Sequence, residues 1–193
     1  MVNPTPLSSL TWTAHQIPAY GQHPNTSLQH FPLLIYRSCL PSTLTHEEAE
    51  EFFSSVGVVK PDWRSPMSLI SHYHSNTHEC MVVSAGSARL CFGGPPDEGK
   101  NEGRVEVEVH VGDVMLVPAG VSHGMLQNLG GFEMTGAYPI GAESWDFCDG
   151  TEADREESWE KIRKVKWFDS DPVYGDGGPV MKYGAGALVS SVL

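Results

Sequence analysis

The chain is short of basic side chains: 12 Lys and Arg stand against 24 Asp and Glu in 193 residues, a formal net charge of -12. A phosphate backbone would on average be repelled, so nucleic acid is not an expected partner. Long hydrophobic runs are missing as well. Stretches such as Val114 to Val117 fall far short of the roughly 20 apolar residues that span a bilayer, and MVNPTPLSSL lacks the basic start and apolar core of a signal peptide. The expectation is a cytoplasmic protein with no membrane partner. Cysteine is scarce: Cys39, Cys80, Cys91 and Cys148 are widely scattered and form no CxxC pair. They read as reduced core thiols, with a Cys80–Cys91 disulfide across a hairpin as the competing arrangement. No internal repeat points to a duplicated unit. What is present is 40% hydrophobic residues with 20 Gly and 14 Pro, a folded, turn-rich composition that suits one β-rich domain with a proper core.

Residues 1–30 are rich in Pro, Ser, Thr, His and Gln and read as an extended N-terminal arm laid over something else. Residues 31–193 read as one domain ending in a helical and loop-like tail. Phe31 to Tyr36 has the composition of a strand, and Thr45-His-Glu-Glu48 is a capping-box signature leading into a short amphipathic helix anchored by Phe52 and Phe53. From Ser68 to Tyr138 the chain reads as a succession of short strands broken by Gly and Pro, the pattern of a sandwich or barrel. Val105 to His110 alternates strictly, with valines on one face and Glu106, Glu108 and His110 towards solvent. Gly93 to Gly103 is too rich in turn residues for a strand and reads as a mobile loop. Glu152 to Lys166 has helical composition, with Trp159 and Ile162 on one face.

Three of the nine histidines fall within Ser71-His-Tyr-His-Ser-Asn-Thr-His-Glu79. On extended backbone His72 and His74 share a face, about 6 to 7 Å apart at Cα, and can converge on one ion. Glu79 opens the next strand, and His123 follows a strand set between Gly112 and the turn Pro118-Ala-Gly120. Together these would offer three imidazoles and one carboxylate, a set suited to borderline divalent metals. A lone histidine is more often a surface or core residue, and His15, His23, His30 and His46 are left in that role.

The run His72-x-His74, four residues, Glu79, six residues, Gly86 resembles the first motif of the cupin superfamily, and Gly112, five residues, Pro118-x-Gly120, two residues, His123 resembles the second. Pro66 stands where the first motif opens with Gly, Asn128 falls one position late for the usual asparagine, and the intermotif stretch Ser87 to Val111 is long. None of these is a ligand position. The finer pattern around His72 to Glu79, with Gly136-Ala-Tyr-Pro-Ile-Gly141 and Asp171 to Pro179, is similar to the YjlB-like single-domain cupins. The resemblance implies an all-β fold, a single antiparallel β-barrel of jelly-roll type with a few short helices. It further implies one divalent transition metal ion (Fe, Zn, Mn, Ni or Co) on His72, His74, Glu79 and His123.

His78 adjoins Glu79 and by alternation faces away from such a site. It is a candidate for a hydrogen bond that shapes the ligand loop, the alternatives being proton transfer in catalysis or a replacement ligand. Met81 shares the inward parity of Glu79, and Phe92, beyond the Gly86 turn, is a further candidate pocket wall. Trp63, Arg64 and Tyr138 are candidates to grip a small-molecule substrate. An ion held by three neutral imidazoles and a carboxylate keeps a charge of +1 and, if six-coordinate, two adjacent open positions. That suits oxygenase-type chemistry with iron, or redox-neutral isomerase, decarboxylase or lyase chemistry with a Lewis-acid ion. A non-enzymatic metal- or ligand-binding cupin is the competing class. The arm predicts a homodimer if it crosses a neighbouring barrel, the alternative being that it covers its own.

Overall fold

The computed structural model describes residues 2–95, 101–151 and 155–184; the middle of the stretch expected as the Gly93–Gly103 loop, the first residues of the helix expected over Glu152 to Lys166 and the end of the tail lie outside them. Seven strands form one antiparallel sheet: β1 (Thr11–His15), β2 (Leu33–Arg37), β3 (Val59–Ser65), β4 (Glu79–Phe92), β5 (Val105–His110), β6 (Val114–Val117) and β7 (His123–Pro139). The order is β1-β2-β6-β4-β7-β3, with β5 also on β4. This is the strand-rich jelly-roll class expected, but among the described residues β1 and β3 do not pair, so the barrel does not close.

Alternation along the strands sorts side chains into two layers. Leu33, Ile35, Met81, Val83, Met115 and Val117 belong to the inner cluster, and Leu34, Tyr36, Cys80, Val82, Val114 and Leu116 to the outer one. Strands β2 and β6 and the first half of β4 are therefore covered on both faces, which is why their sequences are continuously apolar. The outer layer is covered by helix α1 (His46–Val56) through Ala49, Phe52 and Phe53, and by Trp167, Phe168 and Val180 of the tail. Helix α1 begins at a complete capping box, in which the Glu48 N–H donates to Thr45 Oγ1 and the Thr45 N–H donates to Glu48 Oε2. It ends at Gly57, whose φ of 74° is the left-handed cap glycine tolerates. Among the described residues helix α2 covers Arg155–Ile162 and ends before the expected Lys166, with Ile162 buried beside Tyr73, Ala119 and Cys148.

One sequence expectation changes, a second is refined and a competing alternative falls. The stretch from Ser68 to Tyr138 is dominated by two long bent strands, β4 and β7, rather than many short ones. Their pairing shifts register around Gly86, where a Cβ would lie 2.0 Å from Gly130 O, so only glycine permits the approach that bends the pair. The arm is part of the sheet: β1 pairs with β2, and Ile17 is fully buried in the inner cluster. Finally, Cys80 and Cys91 lie on the same strand, β4, so no hairpin joins them. All four cysteines are buried and none is in a disulfide. No described helix is long and apolar enough to cross a membrane.

Candidate metal centre

The ligand-bearing segments meet at one end of the inner layer. Residues 71–78 form no strand, but His72 and His123 face one another as a backbone pair, with N–H to O distances of 3.1 and 2.8 Å. The Gly120 N–H donates to His74 O at 2.8 Å, drawing the Pro118–Gly120 turn onto the same segment. Glu79, at the start of β4, is opposite Val117 of β6. These contacts bring one nitrogen from each of His72, His74 and His123 within 4.8 Å of one another, all three residues being buried.

Each ring is oriented by a backbone carbonyl. Nδ1 of His72 donates to Ile70 O at 3.0 Å, Nδ1 of His123 to Val121 O at 3.0 Å, and Nδ1 of His74 to Asp146 O. With Nδ1 carrying the proton, Nε2 keeps its lone pair for an ion, the usual supporting arrangement around metal-binding imidazoles. The fourth member is Glu79. Its Oε1 accepts from the Tyr138 hydroxyl at 2.6 Å and the Trp63 indole N–H at 3.2 Å. Its Oε2 has no hydrogen-bond donor although it is buried, and stands 3.4 Å from His74 Nε2 and 3.3 Å from His123 Nε2. An orphaned carboxylate oxygen among imidazole lone pairs is costly unless a cation sits between them. The residues present therefore fit a divalent ion.

The electrostatics agree with that fit. Burial, reinforced by the neighbouring His123, lowers His72 to about 4, so its ring is neutral at physiological pH. Burial opposes ionisation of Glu79, but His74 and His123 outweigh it and hold the carboxyl well below its usual range. Burial also opposes protonation of His74, yet Glu79 prevails and raises it.

Above the centre is a cavity of about 270 Å³ walled by Trp63, Met67, Met81, Tyr138, Trp145 and Phe147. Of the sequence candidates, Trp63, Met81 and Tyr138 reach this cavity. Arg64 and Phe92 do not. Strand alternation turns Trp63 and Ser65 inward and Arg64 outward, where its guanidinium binds Glu50 at 2.5 and 2.7 Å and Glu47 at 2.7 Å on α1. Phe92 is fully buried in the inner cluster away from the cavity wall. His78 is walled off too: its Nδ1 accepts from the Ala119 N–H at 2.9 Å and its Nε2 donates to Lys166 O at 3.1 Å. Phe31, Trp167 and Phe168 surround the ring, and complete burial lowers it to about 3.

Sequence reading missed Trp145, Asp146 and Phe147. They belong to a segment after β7 that no ladder predicts, bound beside the ligand segment by the Tyr73–Cys148 backbone pair. Asp146 also accepts from the Ser75 N–H at 2.7 Å and from the Ser75 hydroxyl. The only signal was local: two large aromatics flanking an acid in a turn-rich stretch.

A family model described as Cupin matches residues 44–131. The chain is 31% identical over 165 residues to "Uncharacterized protein YjlB" of Bacillus subtilis (strain 168), covering 86% of this chain and 92% of that protein. Among solved structures, vicilin from Capsicum annuum matches with a TM-score of 0.34 and 13% identity over 72% of this chain, which spans only 29% of the vicilin. RmlC from Streptococcus suis, in complex with dTDP-D-xylose, matches at a TM-score of 0.36 and 12% identity, covering 95% of this chain and 93% of RmlC.

Proposed function

The chain belongs to the cupin superfamily, and from that premise we propose that it is a metal-dependent enzyme acting on a small organic molecule by oxygenase-type chemistry. His72, His74, Glu79 and His123 would hold one divalent ion, and iron(II) there would supply dioxygen binding and electron transfer. The protein's own part is to keep three imidazoles in the metal-binding tautomer, to orient Glu79 through Tyr138 and Trp63, and to exclude water with apolar walls.

One observation favours an oxygenase over a redox-neutral isomerase, decarboxylase or lyase. Isomerase and lyase reactions that move a proton are served by a general acid or base facing the substrate, and among the described residues the cavity wall offers only the Tyr138 hydroxyl beyond the four metal-binding candidates. Tyr138 is the remaining titratable group; burial and the adjacent Glu79 push its ionisation far above the usual range, and its hydroxyl is engaged as a hydrogen-bond donor to Glu79 Oε1. His78 has both nitrogens committed to backbone. Cytoplasmic action on a small-molecule substrate, in a chain of this net charge, completes the proposal.

The test is elemental analysis of protein purified without added metal, beside His74→Ala, followed by oxygen uptake with catechol-like and diketone-like compounds. Near-stoichiometric iron that the variant loses, with substrate-dependent oxygen uptake, is the expected result. Zinc, manganese, nickel or cobalt without oxygen uptake would instead support redox-neutral chemistry. No metal in either protein would leave a non-enzymatic binding cupin.

A further inference from the structure

We propose that the cavity selects a small, flat, apolar molecule whose only charge is the single negative charge of an oxygen pair that chelates the metal, a specificity that rests on the metal-centre reading above. The first support is charge. A divalent ion, three neutral imidazoles and ionised Glu79 sum to +1, which one monoanionic chelating group neutralises. No Lys or Arg is among the described residues lining the cavity, and Arg64, nearest in sequence, is held outside by Glu47 and Glu50. A phosphate, sulfate or second carboxylate on the ligand would meet carbon atoms and remain unpaired.

The second support is shape. Phe147 stacks on His72 with ring centroids 4.2 Å apart and planes 12° apart, and Trp145 lies edge-on to His74 at 5.5 Å and nearly parallel to Tyr138 at 6.4 Å and 22°. Both aromatics are thus seated on residues of the centre itself. Trp145 is pinned further by its indole N–H, which donates to Asp62 Oδ2 at 3.0 Å. Yet they remain 43% and 48% exposed, a large apolar surface left at the edge of the cavity. The chemistry that covers such faces is another planar apolar ring. Apart from the ligand cluster, the polar groups on the wall are few: the Ser65 and Ser68 hydroxyls, the Trp63 indole N–H and the Tyr138 hydroxyl, the last two already used by Glu79. A polyhydroxylated ligand would lose more hydrogen bonds to water than it regained here.

Calorimetric titration of the full-length chain loaded with nickel(II) separates these elements, using three hydroxamic acids that share one monoanionic oxygen chelator. Benzohydroxamic acid adds a flat ring, acetohydroxamic acid lacks it, and 4-carboxybenzohydroxamic acid adds a second charge. The expected result is that benzohydroxamic acid binds about tenfold tighter than either of the others. In Trp145→Ala and Phe147→Ala the ring preference should shrink several-fold while acetohydroxamic acid keeps its affinity. Equal affinities for the three, or a preference unchanged in both variants, with about one nickel bound per chain, would overturn the slot and leave the metal centre standing. A chain that takes up no nickel would overturn both.

Discussion

At the scale of single residues, His78 shows how a histidine beside the carboxylate proposed to hold the metal can serve by staying neutral. Its ring joins the Ala119 N–H, in the turn that leads to His123, to the Lys166 carbonyl of the tail. His78→Leu would leave the buried Ala119 N–H unpaired, at about 1 to 3 kcal/mol, and would remove the hydrogen bond to the part-buried Lys166 carbonyl, at about 1 kcal/mol. A loss of about 2 to 4 kcal/mol in urea unfolding at pH 7 is therefore expected. The same ring makes stability depend on pH. Its pKa is about 3 when folded against 6.5 when exposed, so between those values the unfolded chain binds the extra proton. The contribution is whole above pH 6.5 and is lost as the pH falls, at up to about 1.4 kcal/mol per unit. Unfolding curves between pH 7 and pH 5 should accordingly be flatter for the variant, although His72, lowered to about 4 by burial, retains a slope of the same sign.

At the scale of elements, β3 and β7 cooperate through a missing side chain. Trp63 of β3 lies opposite Gly136 of β7, and a Cβ at 136 would fall 2.0 Å from Trp63 Cε2. The absence of that carbon lets the indole lie across the strand and donate to Glu79. Pro61, two residues earlier, is tolerated because β3 is an edge strand and the register slips between Pro61 and Trp63. Gly136→Ala should displace the indole at a cost of about 1 to 3 kcal/mol, as overpacking does. It should also loosen the metal through Glu79. Denaturant midpoints and equilibrium dialysis against zinc would read the two effects separately; full stability with full zinc affinity would show that Trp63 has another place to go.

At the scale of the whole molecule, the arm is a structural member. Beyond β1 and Ile17, the Asn25 side chain donates to Pro18 O at 2.9 Å and Gly93 O at 3.2 Å, and accepts from the Ser122 N–H at 3.1 Å, next to His123. Within one chain the arm covers its own sheet. Deleting residues 1–28 should therefore remove cooperative unfolding and much of the soluble yield, by stripping β2 of one of its two partner strands and opening the inner cluster. A truncated chain with an unchanged thermal transition would contradict this, and a stable truncated chain of altered elution volume would return the arm to a role between copies.

What could be read from the amino-acid order alone was whatever repeats with the period of local structure or is written in contiguous residues. The Thr45–Glu48 cap, the two-sided alternation of β5 and the close spacing of His72, His74 and Glu79 are of this kind, because each depends on neighbours a few positions apart. The family followed from those same motifs. Tertiary structure alone decided the rest. It set the orphaned Oε2 of Glu79 between two imidazoles, carried Trp145 and Phe147 some seventy residues back onto the ligand rings, drew Arg64 away to α1 and sealed His78 inside. Beyond the two aromatics flanking Asp146 and the alternation that turns His78 from Glu79, local sequence carries little of this, since which polar atoms remain unpaired and which segments meet depend on every element that packs around them.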